Sequence, residues 1–178
     1  LGGVGMVVGN PKNGKSFIAM CMAIAVSTGE PFLREYPVSK SGPVIYVNEE
    51  DDERLTKDRL IRIAAAHPID PRFDNLLLSC QKRCDLETAR GRGRLSALVR
   101  EVKPAMLFLD CWKRIAPTTN ENHSHEVSPI LHWLRRLSVD HGTAVCVIHH
   151  LSREREWGQA QTVLSRIRGT GDFQAWYD

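Results

Sequence analysis

Short runs of apolar residues alternate along the chain with longer segments in which apolar residues recur every three or four positions. The short runs are rich in β-branched residues and are bounded by Gly, Pro or polar clusters, which is typical of buried strands. The predicted strands are Val4–Val8, Val44–Val47, Leu76–Leu78, Met106–Leu109 and Ala144–Ile148. Continuously apolar strands separated by helices predict a parallel sheet with helices on both faces. We therefore expect a three-layer α/β fold with a mainly parallel central sheet.

Helices are predicted between these strands. The first, Ser16–Ser27, is apolar on nearly every face. Three further helical patterns follow: one ends before Pro68, one ends before Pro104, and one begins near Pro129 and ends at Gly142. Proline and glycine interrupt or terminate helices, so these residues mark the expected helix boundaries.

Length and composition exclude several classes of protein. The chain has 178 residues, of which 42% are hydrophobic and 25% are charged, with a net charge of +3. This length and composition predict one domain with a sizeable core and exclude a collagen-like or wholly disordered chain. No apolar run approaches the roughly 20 residues of a membrane-spanning helix, and no export signal is visible. We therefore expect no membrane partner.

The cysteines and the ends of the chain give two further expectations. Five cysteines are an odd number for a disulfide framework and are more simply reduced thiols, which favours the cytoplasm. The chain begins at Leu1 rather than at Met and stops at Asp178 without a tail. We expect residues 1–178 to be a single domain cut from a longer protein.

A glycine-rich segment between the first strand and the first helix carries the strongest functional signal. It matches G-x-x-x-x-G-K-[ST] in full, in the strand–loop–helix context that this phosphate-binding motif requires. Its backbone N–H groups and the helix N-terminus favour phosphate oxygens, its lysine reaches the β/γ-phosphates, and its serine hydroxyl binds Mg²⁺. The predicted nucleotide-binding residues are Gly9, Asn10, Pro11, Lys12, Asn13, Gly14, Lys15, Ser16 and the adjoining Phe17.

Acidic residues follow two other strands. Asp110 ends the apolar strand Met106–Leu109 and has the form of a Walker B aspartate, a second metal ligand beside Ser16. Glu49 and Glu50 follow the second strand, and one of them is expected to orient or deprotonate water for hydrolysis. Ligands bind at the carboxyl ends of strands in such sheets, so these residues are expected to meet at one edge.

Two histidines, His149 and His150, end the fifth strand. At least one imidazole is expected to point at the γ-phosphate as a sensor. The competing interpretation for each residue taken singly is a structural histidine with satisfied hydrogen bonds.

Together these motifs resemble the RecA-like ATPases, and among them the hexameric RepA-type replicative helicases and the related AAA_25 family. The resemblance covers nearly the whole chain. It rests on the phosphate loop, Asp110, and four short motifs: Glu50-Asp51, Glu121-Asn122, His149-His150-Leu151-Ser152-Arg153 and Arg168-Gly169-Thr170. It implies a RecA-like fold, with ATP and Mg²⁺ as cofactors.

The resemblance also assigns roles. It implies that Glu50 rather than Glu49 is the base, that His150 is the sensor, and that Arg168 or Arg153 is an arginine finger offered to a neighbouring subunit. It therefore implies a homo-oligomer, most simply a hexameric ring. Arg153 stands where a lysine is common, and the chain ends before the later strands of the family's sheet.

Two basic segments bear on a nucleic-acid partner. Residues 151–168 contain four arginines around Trp157, and in RecA-like rings this loop faces the pore, where it would suit single-stranded DNA. The alternative is a surface loop whose arginines pair with Glu154 and Glu156. A second basic run between Lys82 and Arg94 is interpreted as a solvated loop and helix start.

The leading functional hypothesis is an ATP-hydrolysing motor that acts on DNA, a replicative helicase or close relative. The alternative is a RecA-like ATPase switch that controls a protein partner without moving DNA. A small-molecule kinase is disfavoured because no arginine-rich lid is evident. A zinc site built from Cys80, Cys84, His123 and His125 is set aside because the spacings are unlike those of structural zinc sites.

Overall fold

A computed structural model describes residues 2–66, 74–151, 167 and 169–176 of the chain. Within these residues, five strands alternate with six helices. The strands are β1 (Gly3–Gly9), β2 (Val44–Asn48), β3 (Leu76–Cys80), β4 (Met106–Asp110) and β5 (Ala144–His150). The helices are α1 (Lys15–Thr28), α2 (Glu53–Ala65), α3 (Ala89–Val102), α4 (Trp112–Ile115), α5 (Ser124–His141) and α6 (Asp172–Trp176).

All strands of the sheet run parallel, in the order β1-β5-β4-β2-β3. The predicted parallel α/β fold is therefore confirmed, and it has the form of a RecA-like P-loop NTPase. The register places Asp110 opposite both Asn48 and Ile148, and Gly9 opposite His150. The carboxyl ends of β1, β5, β4 and β2 consequently lie side by side at one edge.

Alternation along the strands divides the core into two layers. One layer contains Ile45, Val47, Leu107 and Leu109 and packs against α3 and α5. The other contains the intervening strand residues and packs against α1 and α2. Its buried strand members are Val44, Tyr46, Leu76, Phe108, Cys146 and Ile148. Because side chains alternate between the faces of a strand, polar residues in phase with Phe108 must also face α1.

The helix ends agree with the sequence pattern except at α5. Its first residue is Ser124, five residues before the start predicted near Pro129, which lies inside the helix. The first turn is polar and exposed at Ser124 and His125, so no apolar periodicity marks it. The end of α5 is as predicted, at Gly142 with φ 61°.

One carboxylate fixes the loop between α4 and α5 to the start of α3. Oε1 of Glu87 accepts hydrogen bonds from the backbone N–H groups of Thr118 and Thr119, at 2.8 and 2.5 Å. The two threonine hydroxyls donate to the same carboxylate at 2.8 and 2.7 Å. Burial acts to raise the pKa of Glu87, but these hydrogen bonds outweigh it and hold the pKa below its ordinary value.

The Glu87 contacts predict a pH dependence of stability. A carboxylate whose pKa is lowered by folding contributes stability above its unfolded pKa of about 4.3, and this is lost as the pH falls through the lower folded pKa. We expect Glu87→Gln to lose less stability than the wild type between about pH 5 and pH 3. Urea unfolding at both pH values measures this. The exposed Glu35→Gln variant serves as the control, and an equal pH response in both variants would contradict the prediction.

In the part of the chain that the structure describes, no helix combines the length and apolar character needed to cross a membrane.

Candidate nucleotide-binding site

The phosphate loop joins β1 to α1 in a tight turn. Gly14 is the N-cap of α1 with φ 74°, and Lys12 also has a positive φ of 64°. A Cβ atom on Gly9 would lie 3.2 Å from Cγ of Lys15, so glycine leaves space for the lysine side chain. Nζ of Lys15 donates a hydrogen bond to the Asn10 carbonyl at 2.8 Å. The lysine therefore lies along the inside of the loop.

Asp110 ends β4 on the face that α1 covers. Its side chain is 1% exposed, and the Tyr46 hydroxyl donates a hydrogen bond to its Oδ2 at 2.9 Å. Burial raises the pKa of Asp110, although the hydroxyls of Ser16 and Tyr46 act to lower it. Oδ1 is buried and accepts no hydrogen bond from the described residues. A buried carboxylate oxygen that lacks a partner beside a serine hydroxyl suits a hard cation such as Mg²⁺.

These residues meet in one cleft of about 490 Å³ at the carboxyl edge of the sheet. Five predicted catalytic or metal-binding residues line it together: Lys15, Ser16, Glu50, Asp110 and His150. Pro11, Lys12, Gly14 and Phe17 line it as well, whereas Gly9, Asn10 and Asn13 belong to the loop without lining the cleft.

Comparison with known families agrees with this arrangement. A family model described as an AAA domain, AAA_25, matches residues 1–156. The chain belongs to this family. A search of curated proteins finds no match. As a member of the AAA_25 family, the chain is a nucleotide-binding ATPase domain with a P-loop.

Two adjacent glutamates of this AAA domain lie in different surroundings. The Glu49 carboxylate accepts hydrogen bonds from the backbone N–H groups of Lys82, Arg83 and Cys84, each at 3.1 Å. Glu50 is exposed and lines the cleft. Glu49 is therefore engaged by the loop after β3, while Glu50 is available to a molecule in the cleft.

The two histidines that end β5 point to opposite faces of the sheet. The ring of His149 is 1% exposed and stacks on Phe173, with the ring centroids 4.5 Å apart. It also lies edge-on to Trp112 at 6.3 Å. His150, one residue later, lines the nucleotide cleft. Strand alternation thus places His150 rather than His149 where the sequence predicts a phosphate sensor.

Glu50 and His150 approach a third residue, Cys111. Their potential ligand atoms all lie within 4.8 Å of one another. Burial, followed by the nearby Glu50 and Asp110 carboxylates, raises the pKa of the Cys111 thiol to about 12. Cys111 is consequently a neutral thiol beside the two cleft residues at ordinary pH.

Sequence reasoning missed two positioning residues on β2, Tyr46 and Asn48. Asn48 is fully buried; its Oδ1 accepts hydrogen bonds from the backbone N–H groups of Glu50 and Asp51, at 3.0 and 2.9 Å. Its Nδ2 donates to Thr56 at 3.0 Å. Both side chains lie on the face of β2 that α1 covers. The alternation that places them there is visible in the sequence, but it predicts core residues equally well.

Two arginines on α2 were also missed. Arg59 and Arg62 line the cleft, and Nη1 of Arg59 lies 2.5 Å from Oδ2 of Asp51. The helical spacing of three residues places both side chains on the same face. They add positive charge to a cleft whose expected occupant is a polyphosphate.

The remaining predicted motifs lie away from the cleft or outside the described residues. Glu121 is 6% exposed, and its carbonyl accepts a hydrogen bond from the Thr170 N–H at 2.7 Å. Arg153, Trp157 and Arg168 lie outside the described residues. In the second basic run, Nη1 of Arg92 donates to the Leu86 carbonyl at 2.7 Å, which is a structural contact. The other members of that run, Lys82, Arg83, Arg90 and Arg94, are exposed.

Proposed function

We propose that this ATPase domain is the motor of a RepA-type replicative helicase, which hydrolyses ATP and acts on single-stranded DNA. The observation that carries the proposal is the meeting of Lys15, Ser16, Glu50, Asp110 and His150 in one cleft. Phosphoryl transfer needs positioning and charge compensation around the γ-phosphate, and this set contains a group for each task.

Each residue has a proposed task. Lys15 binds the β- and γ-phosphate oxygens, Glu50 orients and deprotonates the attacking water, and His150 contacts the γ-phosphate as a sensor. Ser16 and Asp110 would hold Mg²⁺, which supplies charge neutralisation between the phosphates when it is bound. The buried Oδ1 of Asp110 supports this assignment, because a carboxylate oxygen without a partner is costly unless a cation joins it.

Tyr46 is expected to position Asp110 for the cation. Tyr46→Phe removes the hydrogen bond to Oδ2 and keeps the stacking on Phe108, whose ring centroid lies 5.4 Å away. We expect the Mg²⁺ concentration for half-maximal ATP hydrolysis to rise by roughly 10-fold. The hydroxyl lowers the pKa of Asp110, so its loss should also move the acidic limb of the pH–rate profile to higher pH.

Tyr36→Phe is the matched control for this change, because Tyr36 is 55% exposed and lies outside the cleft. Magnesium titrations of ATPase activity on both variants measure the effect. Equal Mg²⁺ dependence in the two variants would contradict a positioning role for Tyr46.

The DNA partner is supported by the sequence of residues 151–168, where Arg153, Arg155, Arg166 and Arg168 surround Trp157. Arginines that follow a phosphate backbone and an aromatic ring that stacks on bases suit single-stranded nucleic acid. The test is the ATPase rate with and without single-stranded DNA. A motor should be stimulated, whereas an unstimulated rate would favour the alternative, a RecA-like switch that controls a protein partner.

A double variant tests whether residues 151–168 make the DNA contact. Arg155→Ala combined with Trp157→Ala should remove the stimulation and leave the basal rate unchanged. Arg90→Ala serves as the control, because Arg90 is an exposed cation in the second basic run. Loss of stimulation in the control alone would place the DNA contact on α3 instead.

We also propose a homo-oligomer, most simply a hexamer, in which Arg168 or Arg153 reaches the neighbour's nucleotide. The support is the resemblance and the uncompensated charge that an arginine finger neutralises. A mixture of Lys15→Ala subunits and Arg168→Ala subunits should regain activity. In such a mixture, the intact phosphate loop of an Arg168→Ala subunit can receive the intact arginine of a neighbouring Lys15→Ala subunit. No recovery in mixtures shown to co-assemble would reject Arg168 as a finger acting in trans.

We propose a cytoplasmic location because the cysteines form no disulfide bonds among the described residues. All five, Cys21, Cys80, Cys84, Cys111 and Cys146, are free thiols in the structure. Reducing compartments keep thiols in this form.

A further inference from the structure

A cluster of two histidines and a glutamate lies at the start of α5, separate from the nucleotide cleft. Nδ1 of His123 is 2.8 Å from Oε1 of Glu126, and Nε2 of His125 is 3.8 Å from the same oxygen. One potential ligand atom from each residue falls within 4.8 Å of the other two. None of the three side chains lines the nucleotide cleft.

The cluster is held by its own backbone turn. The Asn120 N–H donates a hydrogen bond to Oε2 of Glu126 at 2.8 Å, which leaves Oε1 directed at the histidines. The rings of His123 and His125 lie nearly parallel, with an interplanar angle of 20° and centroids 5.4 Å apart. The ligand atoms therefore start close to a common point.

The chain around the cluster is also fixed. The backbone N–H of His123 donates to the Asn120 carbonyl at 2.9 Å, and that of Glu126 donates to the His123 carbonyl at 3.0 Å. On the preceding side, the Glu87 carboxylate holds Thr118 and Thr119 by four hydrogen bonds. The turn is thus anchored to α3 as well as to α5.

We propose that His123, His125 and Glu126 bind a divalent transition-metal ion of the zinc class. Two imidazole nitrogens and one carboxylate oxygen form a ligand set that Zn²⁺ accepts, and water completes the coordination at an exposed site. Metal–ligand distances of about 2.0–2.2 Å separate neighbouring ligands by about 3.4 Å in a tetrahedral site. The observed spacings bracket this value, so small rotations of exposed side chains suffice.

The ligand set differs from the one considered from the sequence. The structure groups His123 and His125 with Glu126, and neither Cys80 nor Cys84 belongs to this group among the described residues. The signal that sequence reasoning lacked is the helical turn, which brings residue 126 back beside residue 123. The site is open and exposed, unlike a closed structural zinc site.

Zinc titration by calorimetry tests the proposal, with excess Mg²⁺ present throughout. His125→Ala is the decisive variant, because its side chain is 80% exposed and its loss should leave the fold unchanged. We expect the wild type to bind Zn²⁺ at this site at least about 10-fold more tightly than the variant. Zn²⁺ should also raise the Tm of the wild type in a concentration-dependent way, and His125→Ala should reduce that rise.

Two controls separate this site from other metal-binding groups. His141→Ala removes another exposed histidine of α5, and Cys111→Ser removes a ligand from the group beside Glu50; both should keep the wild-type affinity of the proposed site. Equal zinc binding by the wild type and His125→Ala would overturn the proposal. So would an equal loss of binding in His141→Ala, which would indicate nonspecific binding by surface histidines.

Discussion

Lys15→Ala is expected to abolish ATP binding or turnover, a loss of roughly 10³-fold or more in kcat/KM, while leaving the fold intact. In the proposed function, the Lys15 ammonium binds the β/γ-phosphate oxygens. Lys15 as a residue is only 8% exposed, so its side chain lies where water screens charge less than at an open surface. Burial lowers the pKa of Lys15, and the Asp110 and Glu50 carboxylates act in the opposite direction. Replacement of the lysine therefore removes positive charge from a site that already holds two carboxylates.

Equilibrium binding of a fluorescent ATP analogue and steady-state hydrolysis measure this effect, and circular dichroism checks the fold. Lys40→Ala is the matched control, because it removes an exposed lysine from the loop before β2. Wild-type hydrolysis by Lys15→Ala would show that the phosphate site has been assigned to the wrong residues.

The order of elements could be predicted because the central strands β2, β4 and β5 are buried on both faces and so appear as continuous apolar runs. The run Met106–Leu109 and the periodic spacing of Leu95 and Val99 are examples, and both correspond to elements of the structure. The phosphate loop was equally clear because its chemistry needs a fixed spacing of glycine, lysine and serine.

Short and polar elements could not be predicted in this way. Helix α4 has four residues and α6 has five, which is too few for a helical period to repeat. The start of α5 was placed too late because its first turn exposes polar residues and Pro129 resembles a first-turn proline. The two causes differ: α4 and α6 bury their apolar residues but are too short for a helical period to repeat, whereas the first residues of α5 are polar and exposed.

Roles within the cleft depended on which face each side chain occupies. Alternation along β5 separates His150 from His149, and this could be anticipated from the apolar residues before them. Alternation does not extend to Glu49 and Glu50, because β2 ends at Asn48 and the chain then turns. Only the structure shows that the Asn48 amide holds this turn by accepting from the N–H groups of Glu50 and Asp51.

Glu50→Gln is expected to keep ATP binding and to lower hydrolysis by roughly 10²–10⁴, the contribution of general base catalysis. Glutamine fills the same space and retains an acceptor oxygen, but it cannot take a proton from water. Glu50 lines the cleft with Lys15 and His150, and if it is the base, as proposed, the chemical step should be the one that is slowed. Single-turnover hydrolysis, measured with ATP binding on the same samples, separates that step from binding.

Glu49→Gln is the matched control, since it makes the same chemical change one residue earlier. The Glu49 carboxylate accepts three backbone hydrogen bonds from residues 82–84, so its loss should weaken that loop and lower the Tm. Hydrolysis should change far less than in Glu50→Gln, because no proton transfer is assigned to Glu49. If Glu49→Gln lost hydrolysis and Glu50→Gln kept it, the base would be Glu49, and the turn after β2 would have to rotate when ATP binds.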